Sequence, residues 1–340
     1  LSFTHYPAST EWATIGGSIA ARGSGVLSTK YGKIEDHTLA LEFVTPTGEI
    51  VHTPSVPRHA AGPELTQLLV GAEGTLGVIT AATVKLRRLP NRRVFSAFRF
   101  ADLRDGIEAG RRIMVSGLRP AVVRLYDETA ASHSLARAVE HPLDAPTLVM
   151  MFDGEYPDMV ELEAQIAASI CREHHGDALP DSIGETWWER RYVFYYPPYA
   201  PELPSIWGTV DVVADFEHIE AVYYETTKAM RAACPPEYDL SLTTHFSHWY
   251  EWGSMIYARM KIAKGPADLA EAKSLHDRIF YAGVEAALDA GAVLNDHHGV
   301  GLRLAPYMPA QYGEGMKALR AIKAALDPNN ILCPGKLGLS

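Results

Sequence analysis

An α+β fold in two domains is predicted, on three observations. The chain has 340 residues, too many for one ordinary core. Short β-type runs alternate with segments of helical period in an order that suits an antiparallel sheet flanked by helices. A breaker cluster at Pro90-Asn91-Arg92-Arg93 separates a Gly-rich first part from a second part of different rhythm.

In the first part, Leu39 to Thr45 is a buried-strand pattern. Pro46-Thr47-Gly48 makes the turn and Glu49 to Thr53 the return, which is a hairpin signal. Leu65 to Val70 reads as a short helix. Gly77 to Leu86 reads as a strand because Val78, Ile79, Thr80, Thr83 and Val84 are β-branched. In the second part, strands are expected at Val94 to Phe100, Ala121 to Tyr126, Thr147 to Phe152, Trp207 to Val213, Leu240 to His245 and Ser254 to Ile262, the last two paired. Helices are expected at Leu103 to Ser116, Met159 to Glu173, Phe216 to Arg231 and Ala267 to Ala290, where apolar residues recur at helical spacing. Pro197 to Pro204 is a loop, Asn295 to Leu304 a His- and Gly-rich loop, and Tyr312 to Leu326 a helix that Asp327-Pro328-Asn329-Asn330 stops.

The bulk composition excludes some functions. Hydrophobic residues at 47% and charged residues at 21% are ordinary for a globular chain, and a net charge of −10 argues against nucleic-acid binding. Cys171, Cys234 and Cys333 lie far apart with no CxxC pair, which fits a reducing, cytoplasmic setting. No apolar run reaches the length of an integral membrane segment. The chain starts at Leu1 without the pattern of a signal peptide, so it is read as a fragment lacking its upstream part.

Two Gly-rich segments carry the chemistry. Thr14-Ile15-Gly16-Gly17-Ser18-Ile19-Ala20-Ala21-Arg22-Gly23-Ser24-Gly25 lets backbone approach a ligand and offers N–H groups to a pyrophosphate. It lacks GxGxxG, so a Rossmann site is not supported. Gly71-Ala72-Glu73-Gly74-Thr75-Leu76-Gly77-Val78-Ile79-Thr80 is a tight turn entering a strand. Taken singly, each suits a bare turn as well as a ligand loop. With Tyr31-Gly32-Lys33-Ile34-Glu35-Asp36 and the hairpin between them, the order over residues 9–90 resembles the second half of the FAD domain of the vanillyl-alcohol-oxidase (PCMH-type) flavoproteins.

Further segments narrow the resemblance to the alkyldihydroxyacetonephosphate synthase branch of FAD-linked oxidases. They are Arg119-Pro120-Ala121-Val122-Val123-Arg124-Leu125-Tyr126-Asp127, Tyr257 after Trp252-Gly253, His297-His298-Gly299-Val300-Gly301, and Asp327-Pro328-Asn329-Asn330-Ile331. The resemblance implies residues 1–90 as the C-terminal half of an FAD-binding domain and 91–290 as a substrate (cap) domain. Residues 291–340 form the His loop and a helix returning to the FAD domain.

It implies FAD contacts at Ser9, Thr10, Thr14, Gly16, Gly17, Ala21, Arg22, Gly23, Ser24, Glu73, Gly74, Thr75 and Ile79, with Glu73 accepting from a ribose hydroxyl. It also implies catalytic roles for four residues. Arg124 lies beside the flavin and offsets negative charge, Tyr257 is an acid, base or donor to a substrate oxygen, and His297 and His298 handle protons. Metal ligation by the adjacent histidines is disfavoured, since Asp296 alone supplies a partner at ligand spacing.

The chain departs from the family pattern twice. Asp296 replaces the first of three histidines, and a carboxylate there would orient His297 or His298 and raise its pKa. Pro201, in Tyr199-Ala200-Pro201-Glu202-Leu203, stands where the family has a headgroup-binding arginine. Losing that charge-assisted bond costs about 1.5–3 kcal/mol if nothing replaces it, with Arg190, Arg191, Arg259 and Arg303 as candidates to replace it. The expected activity is an FAD-dependent oxidoreductase acting on a hydroxy acid or alcohol through flavin N5. The alternative is an alkylglycerone-phosphate synthase, a flavin-dependent transferase of ether-lipid synthesis. Expected partners are a small-molecule substrate of lipid-like character and a second copy of the chain in a homodimer.

Overall fold

The structure is a computed structural model that describes residues 1–192 and 202–339. The chain forms two compact units, one of residues 1–88 with 294–340, the other of residues 89–293.

The first unit is built on a three-stranded antiparallel sheet of β1 (Thr38–Val44), β2 (Ile50–His52) and β3 (Val78–Val84), in the order β2-β1-β3. The hairpin expected between β1 and β2 forms. Its register sets Val44 opposite Ile50, and Gly48 takes φ +96, a value costly for any side chain. Ile19, Ile34, Leu41, Phe43, Leu69 and Leu76 make the core, with Ile322 and Leu326 of the helix Gly315–Leu326 packed on it. Gly77 is required at the entry to β3, because a Cβ there would lie 2.9 Å from the Phe43 ring.

The first Gly-rich segment is not the continuous turn that its composition suggests. Ile15–Ala20 is helical, with the Thr14 hydroxyl as N-cap accepting from the Gly17 N–H at 3.0 Å. The second segment is zippered onto this helix. Gly71 N–H donates to the Ile19 carbonyl (3.0 Å) and Glu73 N–H to that of Ala20 (2.9 Å). The two Gly-rich segments therefore lie side by side.

The second unit carries strands β4 (Arg92–Arg99), β5 (Val122–Tyr126), β6 (Thr147–Gly154), β7 (Asp177–Leu179), β8 (Ile206–Asp215), β9 (Leu240–Trp249) and β10 (Gly253–Ile262), with β11 (Val293–Leu294) at its end. The sheet order is β11-β8-β10-β9-β5-β6-β4-β7, and the pairings from β8 to β7 are antiparallel.

One face of this sheet is covered by helices. Leu103–Val115, capped by the Asp102 carboxylate on Arg104 N–H (2.9 Å), lies so close that a Cβ on Gly110 would sit 2.4 Å from the Trp249 ring. Ile219–Ala233 and Leu269–Asp289 pack together where Gly283 meets Met230 and Val210. Ile113, Leu125 and Phe246 are fully buried there, each contributing roughly 1.5–3 kcal/mol. Side chains alternate along a strand, so the opposite face carries Arg124 and Tyr126 of β5, His245, Thr243 and Ser241 of β9, and Tyr257, Arg259 and Lys261 of β10. This face is less buried.

Among the described residues, no helix is long and apolar enough to cross a membrane.

Candidate functional site

In the second unit, Arg124 Nη2 lies 2.7 Å from His245 Nε2. A guanidinium only donates, so His245 Nε2 accepts and the imidazole is neutral with its proton on Nδ1. The His245 ring stacks on Tyr257, with centroids 4.8 Å apart and planes at 23°. The guanidinium also lies over the rings of Tyr126 and Trp187, at 5.5 and 5.9 Å, and Trp187 Nε1–H donates to the Tyr126 hydroxyl at 2.7 Å.

Just beyond β5, buried Asp127 accepts from the N–H groups of Ala130 (2.7 Å) and Thr244 (3.0 Å) and from the Tyr223 hydroxyl (3.2 Å). It thereby ties β5 to β9 beside His245. Burial outweighs these bonds and pushes the Asp127 carboxyl up to about 6. Arg124 and Tyr257 are thus joined through His245, which sequence reasoning did not single out. The available signal was strand alternation, since His245 shares its face with Thr243 and pairs with Tyr257 across the β9–β10 ladder.

In the first unit, the second cluster centres on Asp296, 6% exposed. Its Oδ2 accepts from the Ser24 hydroxyl (2.9 Å) and lies 3.1 Å from His297 Nδ1. Lys33 Nζ sits 3.6 Å from Oδ1 and donates to the Asp296 carbonyl. The His297 and His298 rings lie 4.2 Å apart, and His298 is exposed.

The loop is held at both ends. Asn295, at φ +58, accepts from the N–H groups of His298 (2.6 Å) and Gly299 (3.0 Å) through Oδ1. Glu73 accepts from Val300 N–H (2.5 Å) and Gly301 N–H (2.8 Å), one on each carboxylate oxygen. Glu73 therefore anchors the His loop. A ribose hydroxyl, as the sequence suggests, would have to use a remaining lone pair.

The other candidate cofactor residues divide by exposure. Ser9, Thr10, Thr14, Gly17 and Arg22 are exposed. Ser9 takes the N–H groups of Trp12 and Ala13 on its carbonyl, both at 2.8 Å, and the Thr10 hydroxyl donates to the Pro7 carbonyl. Ala21 N–H closes the helix onto the Gly17 carbonyl (3.0 Å), and Gly23 N–H reaches the Ser18 carbonyl (2.9 Å). Arg22, at φ +56, lies 3.9 Å from Glu35. Thr75 is buried, and its hydroxyl donates to the Ala72 carbonyl at 2.7 Å. Gly74 takes φ +76 and is enforced by that angle. Pro201 and its neighbours Tyr199 and Ala200 lie outside the described residues.

These features fit a flavin nucleotide. A helix start presents N–H donors. Gly16 lies against Ile79, where a Cβ would come 3.6 Å from the Ile79 carbonyl, an ordinary contact. Trp12 is 70% and Val78 53% exposed beside them in sequence, as apolar surface.

Phe3, His5 and His37 pack nearby, with the two histidine rings 6.4 Å apart. Their ring nitrogens have no hydrogen-bond partner among the described residues. Burial, with His37 close by, pulls His5 down from 6.5 to about 4. A depressed histidine supplies stability that is present above its unfolded pKa and is lost as pH falls toward its folded pKa. The first unit is therefore expected to lose about 2 kcal/mol through His5 between pH 7 and pH 5. Asp127 works the other way in the second unit, where its burial cost is relieved as pH falls through about 6. Hydrogen exchange at both pH values, read unit by unit, checks this. His5→Phe should remove the His5 part of the acid loss in the first unit and leave that of His37, which burial also pulls down.

The family model of the FAD linked oxidases, C-terminal domain, matches residues 89–337. The chain belongs to the FAD-linked oxidase family. An FAD binding domain model also matches residues 1–54 of this FAD-linked oxidase. A mitochondrial D-lactate dehydrogenase [cytochrome] of Arabidopsis thaliana is 30% identical over 332 residues, covering 96% of this chain and 56% of the relative. An alkyldihydroxyacetonephosphate synthase of Trypanosoma brucei brucei is 29% identical over 363 residues, covering 98% and 57%. A solved alkyldihydroxyacetonephosphate synthase shares the fold with TM-score 0.73 and 22% identity, over 98% of this chain and 60% of that one. The FAD-linked oxidase chain thus spans little more than half the length of these two relatives.

Proposed function

We propose that the protein is an FAD-dependent oxidoreductase that oxidises a 2-hydroxy acid. The observation that carries this reading is the buried Asp296 carboxylate on Nδ1 of His297. A carboxylate there holds the proton on Nδ1 and gives Nε2 the lone pair of a general base. Removing a hydroxyl proton is the step such a base performs. FAD, when bound, supplies the acceptor for the hydride.

Ser9 to Thr14, Ala21 to Ser24 and Glu73 to Ile79 are the segments assigned to hold the cofactor. Arg124 offsets the substrate's carboxylate charge. Tyr257, kept in place by the His245 ring, orients a substrate oxygen. The D-lactate dehydrogenase relative favours this chemistry.

The test is anaerobic addition of D-lactate and glycolate to the purified flavin-loaded protein. Bleaching of the flavin absorbance is expected, slowed about 10²–10⁴-fold in His297→Ala. A full-length protein that is colourless and cannot be reconstituted with FAD counts against the reading, as does wild-type bleaching by the variant.

A second reading, a transferase of ether-lipid synthesis, is favoured by the likeness to alkyldihydroxyacetonephosphate synthase. It calls for exchange of an acyl group for a fatty alcohol. FAD-loaded protein that forms no such product removes it.

A further inference from the structure

The polar face of the second unit's sheet continues past Tyr257. Two residues along β10 lies Arg259, paired with Thr243 of β9, and two further lies Lys261, paired with Ser241. At roughly 3.4 Å per residue the backbone of Arg259 is about 7 Å from that of Tyr257. The same face of both strands opens into a cleft of about 110 Å³. Its other wall is the helical segment after β5, which contributes His133 and Arg137.

Among the described residues no Asp or Glu lines this cleft, although the chain as a whole carries a net charge of −10. Elsewhere its arginines and lysines commonly meet carboxylates, as Arg104 does with Glu220 and Arg99 with Asp177. The side chains of Arg259 and Lys261 have no ion-pair or hydrogen-bond partner among the described residues. Grouped cations with hydroxyl donors on one wall and no acid form a concentrated source of positive potential, which is stabilised by an anion.

We infer that this cleft is an anion subsite, which takes the carboxylate or phosphate of a substrate that extends along β10 from Tyr257. The inference rests on the proposed role of Tyr257 for its place in the reaction. The charge for binding an oxyanion comes from Arg259 and Lys261, with Thr243 and Ser241 as donors of neutral hydrogen bonds. The substrate class is then an acid or phosphate ester whose anionic group lies some distance from the atom that reacts, rather than a neutral alcohol.

The test titrates the intact flavin-loaded protein with inorganic phosphate and, separately, with acetate, by calorimetry at low ionic strength. Wild type is expected to bind at least one of them. Arg259→Gln with Lys261→Gln should weaken that binding at least tenfold, and Arg259→Lys should restore most of it in the Lys261 background. Arg320→Gln, on the exposed side of the helix Gly315–Leu326, should leave it unchanged. Tighter phosphate binding assigns a phosphate ester, and tighter acetate binding a second carboxylate.

Failure of both anions to bind, or equal binding by wild type and the double variant, overturns the subsite and leaves the flavin reading standing. A protein without flavin that still shows the charge-dependent binding would strike the flavin reading alone.

Discussion

Asp296→Asn is expected to slow flavin reduction by about 10²–10⁴-fold, the range of a misplaced general base. The Asp296 carboxylate only accepts, so its contact with His297 requires the proton on Nδ1 and leaves the basic lone pair on Nε2. An asparagine can instead turn its NH₂ toward Nδ1, which moves the imidazole proton to Nε2 and removes the base. The substitution is nearly isosteric, and because Ser24 Oγ and His297 Nδ1 share Oδ2, an NH₂ in that place turns the Ser24 hydroxyl from donor to acceptor without leaving it unpartnered. Glu73 and Asn295 continue to fix the loop backbone from outside the cluster.

The spectroscopic readout is the ¹⁵N shift of the His297 ring nitrogens in the neutral form. Wild type should show the Nδ1–H tautomer, Asp296→Asn the Nε2–H tautomer or a mixture, and Asp296→Glu a partial return. Lys33→Met is the control for charge alone. It should leave the tautomer in place, because Lys33 touches Oδ1 and the carbonyl rather than the ring. An Asp296→Asn protein with the wild-type tautomer and wild-type rate would show that the carboxylate merely fills space.

Much of the fold was legible because local pattern and tertiary context agree. The β1–β2 hairpin, β3, the paired β9 and β10, and the long helices Leu103–Val115 and Leu269–Asp289 follow directly from alternation and helical period. The helix Ile15–Ala20 was not legible. Two glycines and a serine lower its intrinsic propensity, and it forms because the Thr14 cap and the zipper to Gly71 and Glu73 supply what propensity lacks.

The candidate site was legible where a residue has an unusual identity in a Gly-rich loop, as with Asp296, His297 and His298. It was illegible where identity is common and only register gives it meaning. His245 is one histidine of fourteen until β9 sets it against Tyr257 and beside Arg124. Glu73 shows the remaining limit. Its position suggested a ligand contact, but the structure places Val300 and Gly301, more than two hundred residues away in sequence, on its carboxylate.

Lys323→Met is expected to destabilise the first unit by about 3–5 kcal/mol, the cost of leaving a buried charge without its partner. Lys323 and Asp327 are each only 2% exposed. The ammonium is fully used, donating to the Asp327 carboxylate, the Thr75 carbonyl at 3.0 Å and the Leu332 carbonyl at 2.8 Å. Asp327 in turn accepts from Ile331 N–H (3.0 Å) and Leu332 N–H (2.8 Å), so the Asp327-Pro328-Asn329-Asn330 stop is folded around this pair. Through Thr75 the pair also fixes the turn that leads into β3.

A methionine matches the length of the stem but supplies no donor, so two buried carbonyls and a carboxylate lose their partner together. Asp327→Asn added to Lys323→Met removes the uncompensated charge while keeping one acceptor for the loop amides. The double variant should therefore recover part of the loss, and the two changes should be strongly non-additive. Urea unfolding and amide exchange of the helix Gly315–Leu326 provide the measurement. Additive effects, or a single-variant loss below about 1 kcal/mol, the scale of an exposed ion pair, would mean that water reaches the pair and that the stop is held by packing instead.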